Sequence, residues 1–201
     1  MRTQESTVFT PIHQALGLKS GNLSIDLVNA AIAANLEESS HLDWKRDLYS
    51  SKSQEHRDKP KSWREEAAKD IAAMANSGGG WIFFGVQEDS ATGSAQKIRP
   101  IDWTPAEEQQ LRQVAWNYVF PPVTKIEFFP LPAEDEKFVL AMRVPDSTHT
   151  PHLAMKEALF RAPIRNGSHT DFMRESDIEK AYRLRFNRIE DEEKHLQTIF
   201  D

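Results

Sequence analysis

Glu38, Asp43, Lys45 and Glu88 are the residues whose types and spacing could do chemistry. The stretch Glu38 to Asp47 reads ESSHLDWKRD. On a period of two, Leu42, Trp44 and the later Leu48 fall on one side of a strand, while His41, Asp43, Lys45 and Asp47 fall on the other. Glu38 stands just before that strand, and Glu88 follows the apolar run WIFFGV at 81–86. If the two strands are neighbours, three carboxylates converge near one end of a sheet. Carboxylates so placed repel, which raises one pKa or recruits a cation. A hard divalent ion such as Mg2+ or Mn2+ accepts oxygen ligands and would lower the pKa of bound water, and Lys45 on the Asp43 face would hold a phosphate. The same spacing also fits an ordinary pairing of Asp43 with Lys45 or Arg46, with Glu38 and Glu88 as strand-end residues.

Further polar groups lie outside this set. Arg57, Lys59, Lys61 and Arg64 form one basic cluster, and Lys156, Arg161, Arg165 and Arg174 form another. Either alone reads as solvated surface; both beside one site would read as a binding face. His41 shares the Asp43 face and could assist proton transfer, though a surface histidine explains it as well. His149 and His152 flank Pro151, which fits a turn better than a metal pair. Gly78-Gly79-Gly80 has no following Gly-Lys-Ser/Thr, so a helix-ending turn accounts for it and a nucleotide-phosphate loop does not.

The elements that must position these residues are legible in part. Residues 1–36 read as a helical lead-in, with a short helix from Pro11 and a better one after Ser24. A polar, lysine-rich loop covers 50–61 and is expected to lie near the site. Ser62-Trp-Arg-Glu65 has capping-box spacing and opens a helix with Ala67, Ile71, Met74 and Ala75 on one face. WIFFGV, apolar throughout, suits a central strand covered on both faces. Thr104-Pro-Ala-Glu107 opens another helix, stopped by Pro121 and Pro122. Strands are expected at 123–130, at 137–144 and from about Ala158 to the turn at Asn166-Gly167, and a charged final helix follows Ser176. This order gives an α+β fold, a mixed sheet flanked by helices.

The chain of 201 residues carries a net charge of −6 and no cysteine. Disulfides, thiolate zinc sites and cysteine nucleophiles are therefore excluded, and a reducing, cytoplasmic setting is expected. No run approaches the roughly 20 apolar residues of a membrane span.

ESSHLDWKRD, KDIAAMANSGGGWIFFGVQED, PPV with IEFF, and TPHL with LFRAPIRNGSHT together resemble, in order, the Schlafen-type Alba-like (AlbA) domain. The resemblance implies a Schlafen/Alba-like core at 37–180, between the lead-in at 1–36 and a charged helix at 181–201. Nuclease members use three acids, which align with Glu38, Asp43 and Glu88. Relative to the animal pattern, two of the three are exchanged between Asp and Glu, which keeps charge but alters reach by one methylene; Asp89 is an alternative third acid. The implied activity is metal-dependent cleavage of structured RNA such as tRNA, as a defence or stress effector, with Mg2+ or Mn2+ at those acids. Lys45, Arg57, Lys59, Lys61, Arg64, Arg165 and Thr170 would hold nucleic acid, RNA favoured over DNA; Arg165 and Thr170 match the family's Arg-x-Gly-x-x-Thr ending. The rival expectation is a non-catalytic nucleic-acid-binding regulatory module, since many prokaryotic relatives are attached to regulators. Animal members carry two lobes where this chain has one, so a homodimer is expected, with the final helix as an interface.

Overall fold

The structure, a computed structural model, describes residues 7–49 and 62–200. Its centre is a four-stranded mixed sheet in the order β3 (Leu42–Lys45), β4 (Gly80–Phe84), β9 (Phe138–Val144), β8 (Glu127–Pro132). β3 runs parallel to β4, and the other two pairings are antiparallel. The first half of the WIFFGV run is thus a central strand, and Gly85 then breaks it before β5 (Val86–Glu88), which pairs with β6 (Ala95–Ile98).

Both faces of this sheet are covered, which is why β4 shows no polar alternation. Trp81 and Phe83 face one core with Ile12, Leu27, Val28, Leu42 and Trp44, supplied in part by α1 (Pro11–Ala15) and α2 (Ile25–Ala33). Ile82 and Phe84 face the other, with Ala67, Ile71 and Met74 of α3 (Ser62–Asn76) and Leu111 and Val114 of α4 (Pro105–Asn117). Asp43 pairs in register with Ile82, so it points to the α3 side. Leu48 also packs there, not beside Leu42 and Trp44, because regular pairing of β3 stops at Lys45.

Capping chemistry fixes the helix entries. Thr10 and Ser24 accept backbone N–H bonds at the starts of α1 and α2, and Thr104 does so at α4, with Pro105 next. Ser62 is the first residue within α3 and does not precede it. The small pairings β1 (Thr7–Val8) with β2 (Gly21–Asn22) close the lead-in.

The segment expected to hold one strand from Ala158 holds two hairpins. β10 (Leu153–Lys156) pairs with β11 (Leu159–Arg161) and with β7 (Val119–Phe120), while β12 (Pro163–Asn166) pairs with β13 (His169–Phe172). Glu157 and Ala158 form the first turn, both at positive φ (49° and 63°), an arrangement that sequence preferences reserve for Asn and Gly. α5 (Glu175–Phe200) is the last described element. No described helix is long and apolar enough to cross a membrane.

Candidate functional site

The carboxylates meet beneath α3. Asp43, 1% exposed, receives Arg165 Nη1 on Oδ1 at 2.9 Å. Lys45 Nζ stands 2.6 Å from its Oδ2, an ion pair whose angle falls short of a directed hydrogen bond. Arg165 Nη2 also donates to the Ser39 carbonyl at 3.2 Å and lies 3.9 Å from Glu38 Oε2. Lys45 reaches Asp70 at 3.8 Å, and the Tyr49 hydroxyl donates to Asp70 Oδ2 at 2.5 Å. Five chain segments thus meet in one ionic network: the Glu38 turn, β3, Tyr49, α3 and β12.

The geometry holds these groups in definite charge states. Burial alone would push Asp43 up, but Lys45 and Arg165 outweigh it and keep the carboxylate below its ordinary value. Burial would likewise lower Lys45; Asp43 and then Asp70 reverse that and raise it. Tyr49 is driven upward by burial and by Asp70. Glu38 is the exception among the acids. Burial first, then the charge of Asp43, push it up to about 8 against the N–H bond from Trp44 at 2.9 Å, and Glu88 adds to the shift. Arg165 and Lys45 lie against Asp43 at 2.9 and 2.6 Å, and Arg165 comes no closer than 3.9 Å to Glu38, so a negative charge on Glu38 is weakly compensated.

These residues, as arranged, do not fit a resident divalent ion. Both oxygens of Asp43 are engaged by protein cations, Arg165 on one and Lys45 on the other. Among the described residues no group of three or more His, Asp or Glu side chains is placed to hold a metal. Glu88 lies near enough to repel Glu38, half-buried in a cleft of about 390 Å³ with Lys45, Arg46, Asp47 and Glu66. Asp89 is engaged elsewhere: it accepts from the N–H groups of Ala91 and Thr92 and from the Gln96 amide, fixing the β5–β6 turn, and these bonds hold its pKa down.

Of the residues expected to grip nucleic acid, Arg165 is turned inward, because Asp43 and the Ser39 carbonyl take its donors. Thr170 pairs with it across the β12–β13 hairpin and is half-buried. Arg64 lies over the Trp63 ring at 4.5 Å. Arg57, Lys59 and Lys61, with the loop that carries them, lie outside the described residues. His41 donates from Nδ1 to the Gly79 carbonyl, since a carbonyl can only accept. The glycines are a structural turn: Gly79 N–H bonds the Met74 carbonyl, its φ is +82°, and a Cβ there would come within 2.5 Å of the Asp146 nitrogen. His152 is buried, its ring between the Pro121 carbonyl and the Ser147 hydroxyl, and burial lowers its pKa.

A second feature was not anticipated as a unit. Between α3 and the β10–β11 hairpin is a cleft of about 330 Å³ lined by Lys69, Lys156, Arg161 and Phe172, with Glu65 and Glu66. The Arg161 guanidinium lies 5.1 Å over the Phe172 ring. Glu65 accepts the Glu157 N–H, tying the hairpin to the helix. Asp70 and Tyr49 were also missed. One signal was present: Asp70 lies three residues after Ala67, on the apolar face of α3, where an unpaired acid is costly.

The family model described as "Schlafen, AlbA_2" matches residues 38–174, more than half of the chain, and the chain belongs to that family. No curated protein sequence matches it significantly. Two solved structures are similar in outline. One is the DIP2311 protein of Corynebacterium diphtheriae, with 16% identity and a TM-score of 0.45, covering 74% of this chain and 29% of that one. The other is the N-terminal domain of an ATP-dependent DNA helicase RecG-related protein of Nitrosomonas europaea, with 17% identity and a TM-score of 0.48, covering 74% of this chain and 92% of that one. This chain therefore spans under a third of DIP2311.

Proposed function

We propose that the chain is a nucleic-acid-binding module, RNA favoured over DNA, whose contact surface is the cleft between α3 and the β10–β11 hairpin. The observation that carries this is the meeting of two basic regions distant in sequence. The helix that holds Arg64 contributes Lys69, which also pairs with Asp70 at 3.2 Å, and the second cluster contributes Lys156 and Arg161. Phe172, 45% exposed, gives a flat face beside these cations. Cations that neutralise phosphates, next to a ring on which a base can stack, are the ingredients of single-strand recognition. The net charge of −6 does not oppose this, because phosphate contact needs only a local basic surface.

The buried network has a positioning role here. Arg165 ties β12 to β3, and the β12–β13 hairpin carries Phe172, so Asp43 holds the cleft wall indirectly. Metal-dependent cleavage of structured RNA such as tRNA retains one supporting observation, the electrostatic coupling of Glu38 to both Asp43 and Glu88. It requires Arg165 or Lys45 to release Asp43.

The test is binding of the full chain to labelled single-stranded RNA, DNA and tRNA over a salt series, with Mg2+ or Mn2+ added and gels run for cleavage. Binding that weakens linearly in log salt, without cleavage, is expected. Salt-independent binding or none would sink the module. Cleavage lost in Glu38→Ala would establish the nuclease instead.

A further inference from the structure

α5 starts on the body and then leaves it. Ile178, Tyr182 and Arg185 are half-buried, and Arg185 lies within electrostatic reach of the buried His152. One turn on, Phe186 is 56% exposed and Ile189 40% exposed. The spacing 178, 182, 185–186, 189 is a single helical stripe, so the face that rests on the body at its first turns continues outward uncovered. Tyr182 and Phe186 stack along it at 6.0 Å. The helix has 26 residues, roughly 39 Å by its rise. A helix of this kind takes most of its stability from packing of its apolar face.

Its charges are segregated by sign. Residues 180–188 contain Lys180, Arg183, Arg185 and Arg188 and no acid, while 190–193 reads Glu-Asp-Glu-Glu. Arg183 pairs with Glu179 one turn back. A helix stabilised only by its own pairs would alternate signs at four-residue spacing, and this one gathers them into blocks. Two copies laid in the same direction would set basic on basic and acidic on acidic. Two copies laid in opposite directions about an axis near Ile189 set the 185–188 stretch of each, with Arg185 and Arg188, against the acidic 190–193 stretch of the other.

We propose that α5 pairs antiparallel with α5 of a second copy of this chain, with Phe186 and Ile189 at the centre of a two-fold interface. The blocks set the direction and the apolar stripe supplies the contact. The centre of this interface lies roughly two to three turns along α5 from Ile178, which borders Arg161 and Phe172 of the nucleic-acid cleft.

The test is the mass of the full chain by sedimentation across a concentration series. Two charge-reversed variants are compared with it: Arg185→Glu/Arg188→Glu, and Glu190→Lys/Glu192→Lys/Glu193→Lys. Circular dichroism checks that each retains its helix. Wild type is expected to dimerise, each variant alone to associate about tenfold or more weakly, and their equimolar mixture to recover a dimer. Phe186→Ser/Ile189→Ser is expected to be monomeric with an unchanged melt of the body. Wild type that stays monomeric throughout, a dimer indifferent to both reversals, or a mixture that fails to recover would each overturn the proposal.

Discussion

Two charged regions adjoin α3, joined by the Lys69–Asp70 ion pair at 3.2 Å, and differ in design. In the network around Asp43, every cation is matched by an acid, and Asp43, Asp70 and Arg165 are buried. In the cleft, Lys156 and Arg161 border an exposed ring, while Lys69 reaches back to Asp70 at 3.2 Å. Buried ions left without a partner are costly, whereas exposed ones contribute little to stability and remain available to a ligand. The difference separates the residues that hold the protein together from those that, on the proposed reading, would meet nucleic acid, although both kinds are Lys and Arg.

The largest effect that would break this comparison is on folding. Arg165→Met leaves buried Asp43 with Lys45 as its remaining cation and is expected to cost about 3 kcal/mol in urea unfolding. Adding Asp43→Asn should restore part of that loss, and strict additivity of the two would show that they are not coupled. Glu38 gives the next effect, on pH dependence. Its folded pKa of about 8 lies above the unfolded value of 4.5, so the unfolded chain releases the proton first and stability falls as pH rises between those values. Glu38→Gln should flatten that fall, by about 2–4 kcal/mol at pH 8 relative to pH 5. A variant with the same slope as wild type would remove the proton from Glu38.

The cleft should respond in the other sense. Lys69→Ala/Lys156→Ala/Arg161→Ala is expected to reduce RNA affinity by about 100-fold and to flatten the salt slope, each lost phosphate contact removing about 0.7 from it. Lys156→Ala/Arg161→Ala alone should leave the unfolding free energy within about 1 kcal/mol of wild type, while Lys69→Ala also removes the 3.2 Å partner of buried Asp70. Phe172→Ala should weaken binding by about tenfold with little change in salt slope, since stacking releases no counterion. A changed slope would mean that the ring acts by positioning Arg161.

The parts of the fold readable in sequence were those set by local pattern. The all-apolar run at Trp81 marked a covered central strand, and the capping residues Ser24 and Thr104 marked their helices. The Asp43–Lys45 pairing was one of two readings that spacing allowed, and the structure shows it. Arg165 could not be placed in that pair, because its partner is 122 residues away and nothing in its own neighbourhood records the contact. The hairpin at Glu157-Ala158 was hidden for the opposite reason: its local sequence argues against the positive φ that tertiary pairing imposes. The cleft was invisible as a unit because its cations come from α3 and from the hairpin, and only folding sets them side by side.

The bond from Arg165 to Asp43 also fixes an order of events at the ribosome. β3 emerges early, but the cation that neutralises its buried acid is made 122 residues later. At roughly 5–20 residues per second, that is a wait on the order of ten seconds. During that interval the central sheet has an acid that Lys45 alone must hold. The nascent chain therefore cannot complete its core strand by strand, and the last hairpin serves as the clasp that closes it.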